Sequence, residues 1–184
     1  MKKIAIAVLL SAFVVAPAFA ANAGTAYMGL DYGTWSMSDN TGFSDPGVLT
    51  FSGGYRFTPN MAAEVGYAMA GDTTLSDPFG SVTYKQSALK IAAVGTYPVN
   101  NQFDLFGKLG LAMVSGELSG TGFYSFVNYS ATTNNLMYGL GGQFNVNPQF
   151  GIRLQYESLG KSKASSTATG VDVTVVSVGA LFNF

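Results

Sequence analysis

The chain has 184 residues, and only 10% are charged, against roughly a quarter in an ordinary soluble domain. It has no cysteine and no histidine, which excludes disulfides, thiol redox chemistry, Cys- or His-ligated zinc and catalysis through a histidine base. A net charge of −1 excludes a broad basic surface for nucleic acid, and the length suits one domain.

The first element is a targeting segment, MKKIAIAVLLSAFVVAPAFA. Lys2 and Lys3 form a positive start, an apolar stretch runs from Ile4 to about Val15, and Ala18-Phe19-Ala20 is a small-x-small cleavage site. This predicts a secretory signal peptide over residues 1–20, cleaved after Ala20, and a mature domain over residues 21–184. The apolar run is short for a membrane anchor, which needs about 20 residues. Loss of Lys2 and Lys3 leaves 7 basic residues against 10 acidic ones. No run of 18 apolar residues follows, so no transmembrane helix is expected.

After residue 20 the pattern alternates with period two, which is the strand signal. Eight segments result, at about 25–37, 47–57, 61–71, 82–97, 103–117, 127–146, 149–160 and 171–184. In the seventh, Phe150, Ile152, Leu154 and Tyr156 take one face, and Gly151, Arg153, Gln155 and Glu157 the other. In the eighth, Val176, Val178, Ala180, Phe182 and Phe184 oppose Ser177, Gly179, Leu181 and Asn183. Connections alternate between short turns, at 58–60, 99–102 and 147–148, and longer polar stretches at 38–46, 72–81, 118–126 and 161–170. An even-stranded meander of this kind can close, which removes its exposed edges.

The second face is mostly Gly, Ala, Ser and Asn with a few charges. Glycines suit a narrow eight-strand interior better than a wet outer wall. The apolar set therefore faces lipid, where a closed barrel satisfies every backbone group. The fold expected is an all-β, eight-stranded antiparallel up-and-down transmembrane barrel with both termini periplasmic. Tyr55, Phe57, Tyr97, Phe103, Phe144, Phe150, Phe182 and Phe184 lie beside the short turns or the C-terminus, where they would form one interfacial girdle.

In the stretches FSGGYRFTPNMAAEVGYAMAG (51–71), VGTYPVNNQFDLFGKLGLA (94–112), GLGGQFNVNPQFGIRLQYE (139–157) and SVGALFNF (177–184), the chain resembles the transmembrane domain of the outer membrane protein A family of small Gram-negative barrels. The resemblance implies an outer-membrane location, with lipid and lipopolysaccharide around the wall. It also implies that Phe182 and Phe184 carry the signal read by the outer-membrane insertion machinery. Many relatives carry a C-terminal peptidoglycan-binding domain; none is expected here, because Phe184 ends the eighth segment.

Parity sends Asp31, Arg56, Glu64, Lys90, Lys108, Gln143, Arg153 and Glu157 inward. Counted from the short turns, Glu64, Lys108, Gln143 and Arg153 lie at similar heights, with Lys90 and Glu157 higher. Buried charges must pair or meet trapped water. By resemblance, Glu64 and Arg153 match a glutamate–arginine pair of the family, and Lys108 matches a basic position. A family acid is Gln143 here, and a family lysine that competes for the glutamate in gating is Val94. Two readings stay open, polar cement and a narrow gated channel, and the filled interior of eight strands favours cement.

Outside the membrane, Phe123, Tyr124, Phe126 and Tyr129 are candidate loop contacts, for an adhesin or phage receptor. Alternatively, the fifth and sixth segments extend past the membrane and these rings pack on one another. Asp39, Asp45, Asp72 and Asp77 give an acidic rim without EF-hand spacing. No cofactor, metal or enzymatic activity is expected. Small barrels that are enzymes rely on a histidine, and this chain has none. The function expected is a structural one in envelope integrity, with surface loops presented outside.

Overall fold

The computed structural model describes residues 23–37, 45–162 and 171–184. The leader, Asp39 and most of the first and last long connections lie outside that range. The described residues form β1 (Thr25–Met37), β2 (Gly47–Thr58), β3 (Met61–Ala70), β4 (Thr73–Asp77), β5 (Gly80–Pro98), β6 (Phe103–Gly122), β7 (Asn128–Asn145), β8 (Phe150–Ser162) and β9 (Val171–Asn183). No helix among them is long and apolar enough to cross a membrane.

Eight of these strands close into an antiparallel barrel, as the alternation predicts. Each pairs with its sequence neighbours, β9 pairs back with β1, and β3 pairs with β5 across the short β4. The register runs Thr25↔Arg56 and Tyr27↔Asn183, so the start of β1 and the end of β9 meet at the short-turn end. Two short turns use one device. The Asn100 side-chain oxygen accepts from the Gln102 and Phe103 amides, and the Asn147 oxygen accepts from the Gln149 and Phe150 amides. Such a side chain stands in for a backbone turn bond and fixes the hairpin register.

The sequence reading placed a loop over residues 72–81; the structure instead makes a fourth hairpin there, with Thr73↔Tyr84 through Asp77↔Gly80. β6 likewise runs five residues beyond its expected end, to Gly122. Both were hidden for one reason. Above the membrane no apolar face is required on either side, so Ser and Thr replace the alternating hydrophobics. β4 to β7 thus rise as a blade beyond the other strands. Its outward face is hydroxyl-lined, with Ser115–Thr132, Ser81–Thr121 and Thr74–Thr83 bonded across strands at 2.9, 2.8 and 3.0 Å.

Below the blade the outer wall is apolar all round: Met28, Leu30, Phe51, Val65, Ile91, Leu109, Leu111, Leu140, Leu154 and Val178 all point out. The eight girdle aromatics point out too, Phe150 only in part, and Tyr55–Phe57 and Phe182–Phe184 meet edge to face. A soluble monomer does not expose a band of this size; a lipid-embedded barrel must.

The interior is more apolar than the sequence reading held. Trp35, Val114, Met137, Leu159, Val173 and Val175 fill the long-loop half, and Tyr27, Val94, Phe106 and Leu181 the short-turn half. Glycines opposite them make the room. A Cβ on Gly54 would sit 2.2 Å from the Tyr27 ring, and one on Gly141 2.3 Å from Phe106.

Candidate functional site

Between the two apolar layers lies a polar layer. All eight residues that parity sent inward are buried there or just below it. Six of them form one alternating chain of charge, Asp31–Arg153–Glu64–Lys108–Glu157–Lys90. The Arg153 guanidinium donates to both Asp31 oxygens, at 2.6 and 2.5 Å, to Glu64 at 2.9 Å and to the Ser52 hydroxyl at 2.9 Å. Lys108 Nζ reaches Glu64 Oε1 at 2.6 Å and Glu157 Oε1 at 3.2 Å. Lys90 Nζ closes on Glu157 Oε2 at 2.5 Å. The chain links β1, β3, β5, β6 and β8 across the lumen.

Backbone spacing sets this up. Glu157 sits four residues after Arg153 on β8, so both point inward, one above the other. Two glycines clear the way for Arg153 and its partner. A Cβ on Gly179 would meet Asp31 Oδ1 at 2.0 Å, and one on Gly29 would meet Arg153 Nη2 at 3.0 Å.

Glu64 is held by Arg153 and Lys108 together, and the Tyr27 hydroxyl donates to it at 3.0 Å. Each of its oxygens already has a cation, so the carboxylate does not have to choose between partners. Gln143 does not join this layer, although its height suggested it. It donates to Asn145 at 2.6 Å, and Asn145 donates to Asp104 at 2.7 Å, in a separate row nearer the short turns. Arg56 lies in the same lower region, its guanidinium 4.9 Å above the Tyr27 ring.

Sequence reasoning missed Asp104, Tyr27, Ser52 and Asn145 as members. Asp104 was findable, since it shares the parity of Lys108 on β6. The other three carry no charge, so nothing marked them. Among the described residues, no group of three His, Cys, Asp or Glu could hold a metal ion.

The second candidate is the blade tip. The β4–β5 and β6–β7 turns join there: the Phe123 amide donates to the Phe79 carbonyl at 2.9 Å, and the Tyr124 hydroxyl to Asp77 at 2.6 Å. Asp77 also accepts the Phe79 and Gly80 amides. Its carboxyl is held below the usual carboxylate range, first by Tyr124 and then by the Phe79 amide, and the Tyr124 phenol is pushed up by Asp77. Tyr124 is thus a structural pin, with Phe123 against its ring edge at 6.1 Å. Phe123 and Phe126 remain 73% and 72% exposed, Tyr129 is exposed beneath them, and Phe79, not foreseen, is 72% exposed beside them.

Comparison with known proteins agrees with this architecture. Residues 5–184 match the family model of the outer membrane protein beta-barrel domain. Outer membrane protein A of Serratia marcescens is 24% identical over 211 residues, which take in all of this chain and 56% of that protein. The chain therefore spans little more than half the length of this curated relative. Among solved structures, neisserial surface protein A superimposes with a TM-score of 0.69 at 17% identity, covering 88% of this chain and 99% of that one. The attachment invasion locus protein Ail of Yersinia pestis, solved with the heparin analogue sucrose octasulfate, gives 0.64 at 19% identity, with 88% and 99% covered. The N-terminal barrel of Pseudomonas aeruginosa OprF gives 0.60 at 12%, with 88% and 98% covered.

Proposed function

We propose that this chain, which belongs to the outer membrane protein beta-barrel domain family, is a non-conducting, non-enzymatic barrel of the outer membrane. Its work is to reinforce the envelope and to hold a rigid extracellular blade outside the cell. The observation that carries this reading is the filled lumen. A six-member salt-bridge chain of three acids and three bases is sandwiched between two apolar plugs, with Trp35 and Leu159 above and Phe106 and Leu181 below. An ion entering from either side would have to shed its water against hydrocarbon to pass the plug on that side, which is a steep barrier. The inner carboxylates are all engaged by cations or amides, which leaves none free to act as a general base.

The test is planar-bilayer recording from refolded residues 21–184, with folding confirmed in the same sample. Silence is expected. Discrete conductance steps that change in Glu64→Ala or Arg153→Ala would overturn the closed-lumen reading and promote a gated channel.

A second reading, adhesin or phage receptor, is favoured by the blade tip. Phe79, Phe123 and Phe126 are exposed on the two turns that the Tyr124–Asp77 bond pins together, and exposed aromatics on a rigid support can anchor a partner at low entropic cost. Replacing Phe123 and Phe126 together by Ser is expected to leave insertion intact and to abolish cell or phage attachment. Unchanged attachment would remove the tip from the account.

A further inference from the structure

Closure removes strand edges within the lipid, but two edges reappear above it, at β4 on one side of the blade and at the upper part of β7 on the other. β4 is five residues long and stops at Pro78. β7 is longer and unblunted. Its register with β6 runs unbroken from Phe144 to Asn128, whereas its register with β8 stops at Tyr138↔Ser158. Asn135 marks the parting. Its side-chain amide donates to the Leu159 and Lys161 carbonyls at 3.0 and 2.9 Å, and a Cβ on Gly160 would meet it at 2.5 Å. Among the described residues, no strand pairs with the β8 side of residues 128–134.

Two bonds fix which backbone groups face that side. The Gly120 amide donates to the Val127 carbonyl and the Asn145 amide to the Gln102 carbonyl, so the odd-numbered residues of β7 bond to β6. Asn128, Ser130, Thr132 and Asn134 therefore turn their amides and carbonyls to the free side, and all four residues are exposed. The usual protections of an edge are missing. The stretch NYSATTN has no charge, no proline and no register shift, and its Tyr and Thr residues favour strands.

We propose that this edge takes up an extended segment of an external protein as an added strand, antiparallel to β7 in the direction of β8. Only a polypeptide backbone repeats donors and acceptors at the spacing of such a ladder. The two faces of the blade set the pattern of the segment. Its residues opposite Ser130 and Thr132 lie on the hydroxyl-lined outer face and are polar. Those between them lie on the inner face beside Tyr129, in the row that continues through Leu118 to Tyr84, and are apolar. A partner held in this way needs neither Phe123 nor Phe126, so the edge and the aromatic tip stand or fall separately.

The experiment uses the mature protein purified from outer membranes and placed in lipid nanodiscs. The probe is the peptide Thr-Val-Thr-Val-Thr-Val-Thr with a dye on a short lysine tail, and binding is read by fluorescence anisotropy. Opposed residues of an antiparallel pair share a face, so the threonines carry the amides that reach β7. Methylating the threonine amides should weaken binding by about tenfold or more, and methylating the valine amides should not. Ser130→Pro removes an edge-facing amide without touching a bond to β6, and it should weaken binding as much. In hydrogen exchange, the peptide should slow the Ser130, Thr132 and Asn134 amides and leave Ala131 and Thr133 unchanged. Equal binding of the two methylated peptides would overturn the proposal, and it decides the matter alone if Ser130→Pro does not fold. So would wild-type binding by a folded Ser130→Pro, or edge amides that the peptide does not slow. Protection that appears without peptide when barrels are crowded in vesicles would make the occupant a second copy of this chain, and the proposal would fail.

Discussion

The ion chain makes unequal demands on its members, and that inequality can be measured. Among the described residues, Arg153 is the sole cation bonded to Asp31 and one of two on Glu64, whereas Lys90 shares Glu157 with Lys108. Removing one partner of a buried pair costs about 3–5 kcal/mol when it strands the other charge, and a single charge-assisted hydrogen bond about 1.5–3 kcal/mol. Arg153→Met should therefore destabilise the barrel by about 3–5 kcal/mol, and Lys90→Met by about half as much. If the stranded Asp31 causes the larger loss, adding Asp31→Asn should restore part of it, so the double variant is more stable than Arg153→Met alone. Urea titration of the refolded barrel in lipid vesicles reads this out, followed by the fluorescence of Trp35, the one tryptophan in the chain, buried in the lumen. A cost below about 1 kcal/mol for Arg153→Met, or strictly additive losses in the double variant, would refute the reasoning.

The glycine positions make a paired test: Gly179→Ala drives a methyl into Asp31 and should prevent refolding, whereas Gly95→Ala meets nothing within 4 Å and should refold as wild type, both seen as heat-modified mobility on gels. At the tip, Asp77 is depressed by Tyr124 and then by the Phe79 amide, so its stabilisation of the turn is present at neutral pH and lost as pH falls through the folded value. Tyr124→Phe should move that acid transition up towards the ordinary carboxylate range, as followed by the amide resonances of Phe79 and Gly80. The C-terminal aromatics are proposed as the insertion signal: Phe184→Ser should slow assembly in cells while leaving detergent refolding unchanged, because Phe184 keeps its amide bond to the Ala26 carbonyl.

Parity made the faces of the wall legible because a strand offers no third direction. Lys90, Lys108, Arg153 and Glu157 could be assigned to the lumen from their even or odd place relative to Leu89, Leu109, Ile152 and Tyr156, which point out. What parity does not contain is the stagger between strands, and so it cannot say which inward groups meet. Gln143 shows the cost. It faces Asp104 on one side and Arg153 on the other in the strand register, yet its amide turns along its own strand to Asn145. The hairpin of β4 was lost for the opposite reason, since above the lipid neither face is obliged to be apolar.

The size of the inner side chains was the least legible property, and it decides the functional reading. An alternating strand with Met137 or Leu159 on its second face looks like noise in the pattern, because each is flanked by small or polar residues of the same parity. Only closure shows why they are tolerated. Ala68, Ala88, Ala92 and Ala112 on the facing strands leave the lumen wide enough for a few large side chains, and those fill it. The small inner residues are thus the ones that let the lumen be plugged. A variant that enlarges the lumen without touching a charge separates the two ideas. Trp35→Ala together with Leu159→Ala should admit water to the upper half and still carry no current, because Phe106 and Leu181 close the other end. Current through that variant would locate the barrier in the upper plug alone.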